Sequence, residues 1–236
     1  MEDWIRLGIE ATERKDYDAA ETYFKKAIAH YETEANAGDV EAWKMLNDLY
    51  GGTFWNHRRI RNRSKASEAR QKWCEGRLAQ GDESAHADLA AIFEEKKEYS
   101  KAIEHHQWVA DNADNLEEKS WAEYSLGNIY CDEVADEDAI EKAIVWYIRA
   151  AEHKNYDAMM ALGNLYYRGD KVKQNNVEAF QWFVKAAKNG AGAPAMTMLS
   201  AMYERGQGVE KDLEKAKAIK KAMQNGKNWT SLKFDV

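Results

Sequence analysis

The sequence predicts an all-α solenoid of about six antiparallel helix pairs, and three observations carry that prediction. First, nearly the same phrase occurs three times: "AEYSLGNIYCDE" from Ala122, "AMMALGNLYYRG" from Ala158 and "AMTMLSAMYERG" from Ala195. Second, helix-breaking residues are scarce, with one proline (Pro194) and 14 glycines in 236 residues. Third, the repeated phrase sets Ala, Leu and Tyr four residues apart, which places them on one face of a helix. No segment alternates with the period of two that a strand would show.

Each unit follows from the leucine of its phrase. Leu126, Leu162 and Leu199 have Ala122, Ala158 and Ala195 four residues before and Tyr130, Tyr166 and Tyr203 four after. The same frame finds Leu89 between Ala85 and Phe93, and Leu46 between Ala42 and Tyr50. Leu7 fits less well but is followed by Gly8, as Leu126 and Leu162 are followed by Gly127 and Gly163. The anchors are spaced by 39, 43, 37, 36 and 37 residues, a period that signals a helical array. A second amphipathic run follows the first in the units read most clearly. It carries Ala20, Phe24 and Ala27 in the first unit, Ala143, Trp146 and Ala150 in the fourth, Ala179, Trp182 and Ala186 in the fifth, and Ala216, Ile219 and Met223 in the sixth. Small residues alternating with large ones let two helices approach and interdigitate. Units are placed at about 2–38, 39–81, 82–115, 116–155, 156–190 and 191–226, with a tail at 227–236, and the whole of 1–236 is read as a single repeat domain. A lone pair cannot bury both faces, so stacked neighbours are expected to share one core and to curve around a concave side.

Composition narrows the function. A formal net charge of −7 argues against general nucleic-acid affinity, which needs an excess of Lys and Arg. The start, "MEDWIRLGIEATERKD", is read as neither a signal nor a transit peptide, and no apolar window is long enough to span a membrane. Two cysteines, Cys74 and Cys131, make neither a disulfide framework nor a four-ligand zinc site, which points to the reducing cytoplasm. No metal site, cofactor or catalytic residue is expected. His105 and His106 are adjacent and project about 100° apart on a helix, the other histidines are scattered, and no phosphate-binding loop, dinucleotide fingerprint or metalloprotease motif occurs. The chain is therefore read as a protein other than an enzyme.

The repeat frame resembles the tetratricopeptide class, and the later units look like the related Sel-one-like repeats. Trp4, Leu7, Gly8, Ala20, Phe24 and Ala27 stand at tetratricopeptide spacing. Residues 156–190 carry the Sel-one-like pattern through Ala158, Leu162, Gly163, Tyr166, Gly169, Val172, Ala179, Trp182, Ala186, Ala187 and Gly190. The usual inter-unit proline is missing, and "CDEVADED" replaces the Gly-containing loop of the fourth unit. The resemblance implies a protein-interaction module, a cytosolic adaptor or scaffold that binds a peptide or partner protein on its concave face.

The first helix of each pair is expected to line that face. Relative to each leucine anchor, the exposed positions give Lys44 and Asp48, then Trp121, Tyr124 and Asn128, then Asn164, Tyr167 and the adjacent Arg168, then Arg205. Asn128 and Asn164 hold the same place in consecutive units, and an amide offers both a donor and an acceptor to an extended backbone. The aromatics are candidate anchors. The second unit also contains the insertion "GGTFWNHRRIRNRSKASEARQKW", whose Arg58, Arg59, Arg61, Arg63 and Lys65 form a basic cluster for an acidic partner surface. Two other readings compete: an inhibitor or immunity protein that neutralises a cognate toxin, and an RNA-associated factor using 57–72, against which the net charge weighs.

Overall fold

A computed structural model describes residues 3–55, 60–224 and 234. Its described residues contain twelve α-helices and no strand: α1 Trp4–Glu13, α2 Tyr17–Asn36, α3 Val40–Gly51, α4 Arg63–Ala79, α5 Ala85–Glu95, α6 Tyr99–Asn112, α7 Leu116–Asp132, α8 Ala139–Glu152, α9 Tyr156–Arg168, α10 Asn176–Lys188, α11 Gly192–Arg205 and α12 Leu213–Gln224. The odd-numbered helices are the first helices expected from the leucine frame, and the even-numbered ones are their partners. Helix starts are written in the sequence. Asp3, Asp16, Asp39, Asn62, Asn115, Asn155 and Asn175 each cap a helix, the side-chain oxygen accepting a backbone N–H of the first turn.

The chain divides into two compact units, Met1–Ala102 and Ile103–Val236. In the first, α1 packs on α2 and α3 on α4. Phe24 of α2 lies against the backbone of Gly8, where a β-carbon would meet its ring at 2.8 Å. Phe24 also stacks on Trp55, with ring centroids 5.4 Å apart and planes 18° apart. Trp55 and Ile60 of the insertion are buried in the cluster of Ala11, Ala20, Phe24, Ala27 and Leu49. The insertion is therefore partly core, and its later residues from Arg63 onward are helix α4.

In the second unit α7 packs on α8, α9 on α10 and α11 on α12. Leu126, Leu162 and Leu199 are wholly buried. Tyr147 of α8 lies across Gly127 and Phe183 of α10 across Gly163, so close that a β-carbon would meet each ring at 2.4 Å and 2.6 Å. This explains the "LG" of the repeated phrase: glycine lets the aromatic of the second helix rest on the backbone of the first. The "RG" that ends two of the phrases has its own cause. Gly169 and Gly206 close α9 and α11 in the left-handed conformation, at φ +67° and +69°, which glycine adopts at little cost. Three loops then return by one shared bond. The backbone N–H of Asn62, Asn175 and Asp212 donates to the carbonyl of Tyr50, Tyr166 and Tyr203, the aromatic anchors of their repeats. The longer second-unit loop thus rejoins the common frame.

Candidate interaction surface

Helices α7, α9 and α11 carry most of the residues that the repeat frame assigns to partner contact. On α7, Trp121 is 46% exposed and meets half-buried Tyr124 edge to face at 5.7 Å. Tyr124 in turn touches the ring of Tyr147 at 6.0 Å. Asn128 accepts a hydrogen bond from the Tyr147 hydroxyl at 2.8 Å. Burial pushes that hydroxyl's pKa far above the ordinary tyrosine value, so it stays a donor.

On α9, Asn164 occupies the equivalent place, half-buried, with no hydrogen-bond partner among the described residues. The aromatic of α10 that rests on the preceding glycine, Gly163, is Phe183, which has no hydroxyl. Tyr167 meets Phe183 edge to face at 6.5 Å. Its hydroxyl donates to Gln207 Oε1 at 3.0 Å and accepts from Arg205 Nη1 at 3.1 Å. The Tyr167–Arg205 bond joins one repeat to the next and brings two of the expected residues together. Arg168 ends α9, exposed. Neither Arg168 nor Arg205 pairs with a carboxylate among the described residues. Their counterpart in the fourth repeat is Asp132, which Lys171 engages at 2.7 Å. The hydrogen bond from Lys171 lowers the Asp132 pKa and raises that of Lys171 itself.

The remaining expected residues lie in the first unit. The Lys44 ammonium sits over the Trp73 ring, 5.4 Å from its centroid. Asp48 is half-buried and receives weak bonds from Asn47 and Thr53, each at 3.5 Å. Arg61 and Arg63 are exposed beside the start of α4, whereas Arg58 and Arg59 lie outside the described residues. Lys65 belongs to a different arrangement. Its ammonium donates to the Tyr50 hydroxyl at 3.1 Å, and that hydroxyl donates to Glu32 at 2.6 Å, in a cavity of about 390 Å³ that Trp43 and Glu68 also line.

Two features of the second unit were not anticipated. Glu123 is fully buried, in hydrogen-bond contact with His153 Nδ1 at 2.7 Å and ion-paired with Arg149 Nε at 3.2 Å. Beside it opens a groove of about 510 Å³ lined by Leu116, Glu117, Trp121, Tyr156 and Asp157 among others. The one sequence signal for the buried carboxylate is its place next to the core residue Ala122; no spacing rule marks it. Among the described residues no group of three or more His, Cys, Asp or Glu is placed to hold a metal ion. No described helix is long and apolar enough to cross a membrane.

Comparison with known proteins bears on this geometry. A family model described as Sel1 repeat matches residues 6–30, 122–155, 157–190 and 193–218. No curated protein matches the chain. Among solved structures, a Sel1 repeat protein from Oxalobacter formigenes superposes with a TM-score of 0.55 at 23% identity, covering 98% of this chain and 85% of its own. A second, c5321, a protective antigen present in uropathogenic Escherichia coli strains displaying an SLR fold, superposes with a TM-score of 0.51 at 21% identity. It covers 91% of this chain and 46% of its own. At these identities the likeness is one of fold.

Proposed function

The chain belongs to the Sel1 repeat family, whose repeats are generally protein-interaction modules, and from that premise we propose that it is a cytosolic adaptor or scaffold holding a peptide or partner protein on the inner, first-helix face of its second unit. The observation that carries this reading is the row from Asn164 through Tyr167 to Arg205. There an amide without a partner among the described residues lies about one helical turn before Tyr167, whose hydroxyl links consecutive repeats. An extended peptide offers the amide both a donor and an acceptor. Arg168 and Arg205 add two guanidinium groups without carboxylate partners among the described residues, which suits acidic groups on the bound segment. Tyr124 and Tyr167 supply rigid aromatic surface of the kind that dominates interfaces. Cys74 and Cys131 are free thiols, in keeping with a reducing compartment.

The test is capture of the partner from the native host, followed by binding measurements on variants. Replacing Asn164 with Ala should weaken binding by roughly ten- to a hundredfold while leaving the melting temperature nearly unchanged, whereas Asn128→Ala should also lower stability, because it strands the Tyr147 hydroxyl. Lys142→Ala and Lys185→Ala, on the second helices, should leave binding intact. If the second-helix changes abolish binding and the asparagine changes do not, the partner uses another face.

A further inference from the structure

Tryptophans in this chain recurrently carry a cation. Lys72 lies over Trp43 at 4.3 Å from the ring centroid, Arg149 over Trp146 at 4.4 Å, Lys185 over Trp182 at 3.8 Å and Arg77 over Trp73 at 4.9 Å. The negative face of the ring attracts the charge. In two of these cases a pair of carboxylates completes the holder. Arg77 pairs with Asp82 at 2.9 Å and Asp88 at 2.8 Å. Arg149 pairs with Glu123 at 3.2 Å and Asp111 at 3.4 Å.

Trp121 breaks the habit. It is the exposed tryptophan among the described residues, and no cation among those residues lies over it. Yet its groove supplies the rest of the holder. Glu117 and Asp157 line the cavity, and neither carboxylate has an ion pair or hydrogen bond among the described residues. Partial burial raises the Asp157 pKa, as expected of a carboxylate that lacks a counter-charge. Tyr156 and Leu116, 41% and 54% exposed, offer apolar surface for an alkyl stem. The cavity volume, about 510 Å³, falls within the range of ligand pockets, roughly 300–1,000 Å³. Of the two basic residues lining it, His153 is turned to Glu123, and Lys154 pairs with neither carboxylate. Two free carboxylates thus face one ammonium, in a chain of net charge −7.

We propose that the Trp121 groove binds the guanidinium of an arginine side chain presented by a partner protein, with Trp121 stacking on its plane and Glu117 and Asp157 accepting its N–H groups. Arginine is preferred to lysine because both holders in this chain that combine tryptophan with two carboxylates hold arginine, and because a planar fork satisfies a ring and carboxylates together. The inference rests on the partner-binding reading, since the side chain must come from a partner, but its test needs no partner.

The whole chain is labelled with 5-fluorotryptophan, and Trp121→Phe identifies the Trp121 fluorine resonance. N-acetyl-arginine amide, its lysine and glutamate counterparts, and N-acetyl-citrulline amide, an uncharged near-isostere of arginine, are titrated against it. The arginine amide should give a saturable shift of that resonance that weakens as salt rises. The citrulline and glutamate amides should give none. Asp157→Asn should weaken the arginine response about tenfold or more, and Lys154→Ala should strengthen it. Circular dichroism melts confirm that each variant is folded. An equal response to citrulline, or none to arginine, overturns the proposal, and an equal response to lysine overturns the assignment of a guanidinium. Asn164→Ala should leave the titration unchanged, so failure here and failure of the peptide-binding reading are separately visible.

Discussion

The fourth and fifth repeats are built on one plan, and they differ on the first-helix face that carries Asn128 and Asn164. Both set a wholly buried leucine, Leu126 or Leu162, ahead of a glycine on which an aromatic of the second helix rests. In the fourth repeat that aromatic is Tyr147, and its hydroxyl occupies Asn128. In the fifth it is Phe183, and Asn164 has no partner among the described residues. The first helix of the fourth repeat ends at Asp132, paired with Lys171, whereas that of the fifth ends at Arg168, which has no ion pair among the described residues. At these two positions the polar group of the fourth repeat is engaged, and that of the fifth has no such partner among the described residues. The packing residues set the fold, and single atoms beside them decide which polar groups stay unpaired.

The largest effect should come from the part the two repeats share. Leu126→Ala and Leu162→Ala should each cost about 2–5 kcal/mol, since each removes a fully buried side chain from a packed core. Asn164→Ala, two residues along the same helix, should change stability by no more than about 0.5 kcal/mol, as surface substitutions usually do. Denaturant melts of the three variants check this. Equal losses for Leu162→Ala and Asn164→Ala would show that the core and outward faces of this helix are wrongly assigned.

A smaller effect tests the difference itself. Tyr147→Phe keeps the ring against Gly127 but deletes the donor to Asn128, so it should cost about 0.5–1.5 kcal/mol, the net worth of one hydrogen bond. The reciprocal Phe183→Tyr offers Asn164 a donor and should weaken partner binding without lowering the melting temperature. If Tyr147→Phe is neutral, the Asn128 bond contributes nothing and the two repeats do not differ in the way described.

Much of this architecture was legible beforehand because its cause is local. The helices follow from spacings of four, and the Asp or Asn that caps seven of them stands in the sequence just ahead of each start. Leu46, Leu89, Leu126, Leu162 and Leu199 are all buried, while Leu7, the anchor that fitted least well, is only half-buried. What escaped is set by residues distant in sequence. The burial of Trp55 depends on the ring of Phe24, 31 positions earlier, and that of Glu123 on His153 and Arg149 in the next helix and turn. The letters Tyr147 and Phe183 were plainly visible, but only their approach to Gly127 and Gly163 gives the substitution a meaning for the asparagines.

The smallest effect concerns the helix ends, and its pH dependence has a definite sign. The hydrogen bond from Lys171 lowers the Asp132 pKa below its ordinary value of 3.8, so the stability from this pair is fully present above that value. It is lost as pH falls through the lower, folded-state value. The Lys171 pKa is raised above 10.5, so the same contribution is full below 10.5 and is lost as pH rises through the raised value. Asp132→Asn keeps the shape of the side chain and leaves the second bond of Lys171, to the Cys131 carbonyl, in place. The Asp132 side chain is 64% exposed, so at neutral pH the variant should be less stable by only about 0.2–1 kcal/mol. That gap should close at both extremes, in acid because wild-type Asp132 becomes neutral like the asparagine, and in strong alkali because Lys171 loses its charge. Arg168→Met, at the equivalent end in the fifth repeat, removes no ion pair and should show no such window. Chemical melts across pH distinguish the two, and a gap for Asp132→Asn that persists unchanged in acid would mean that the contact acts through packing rather than charge.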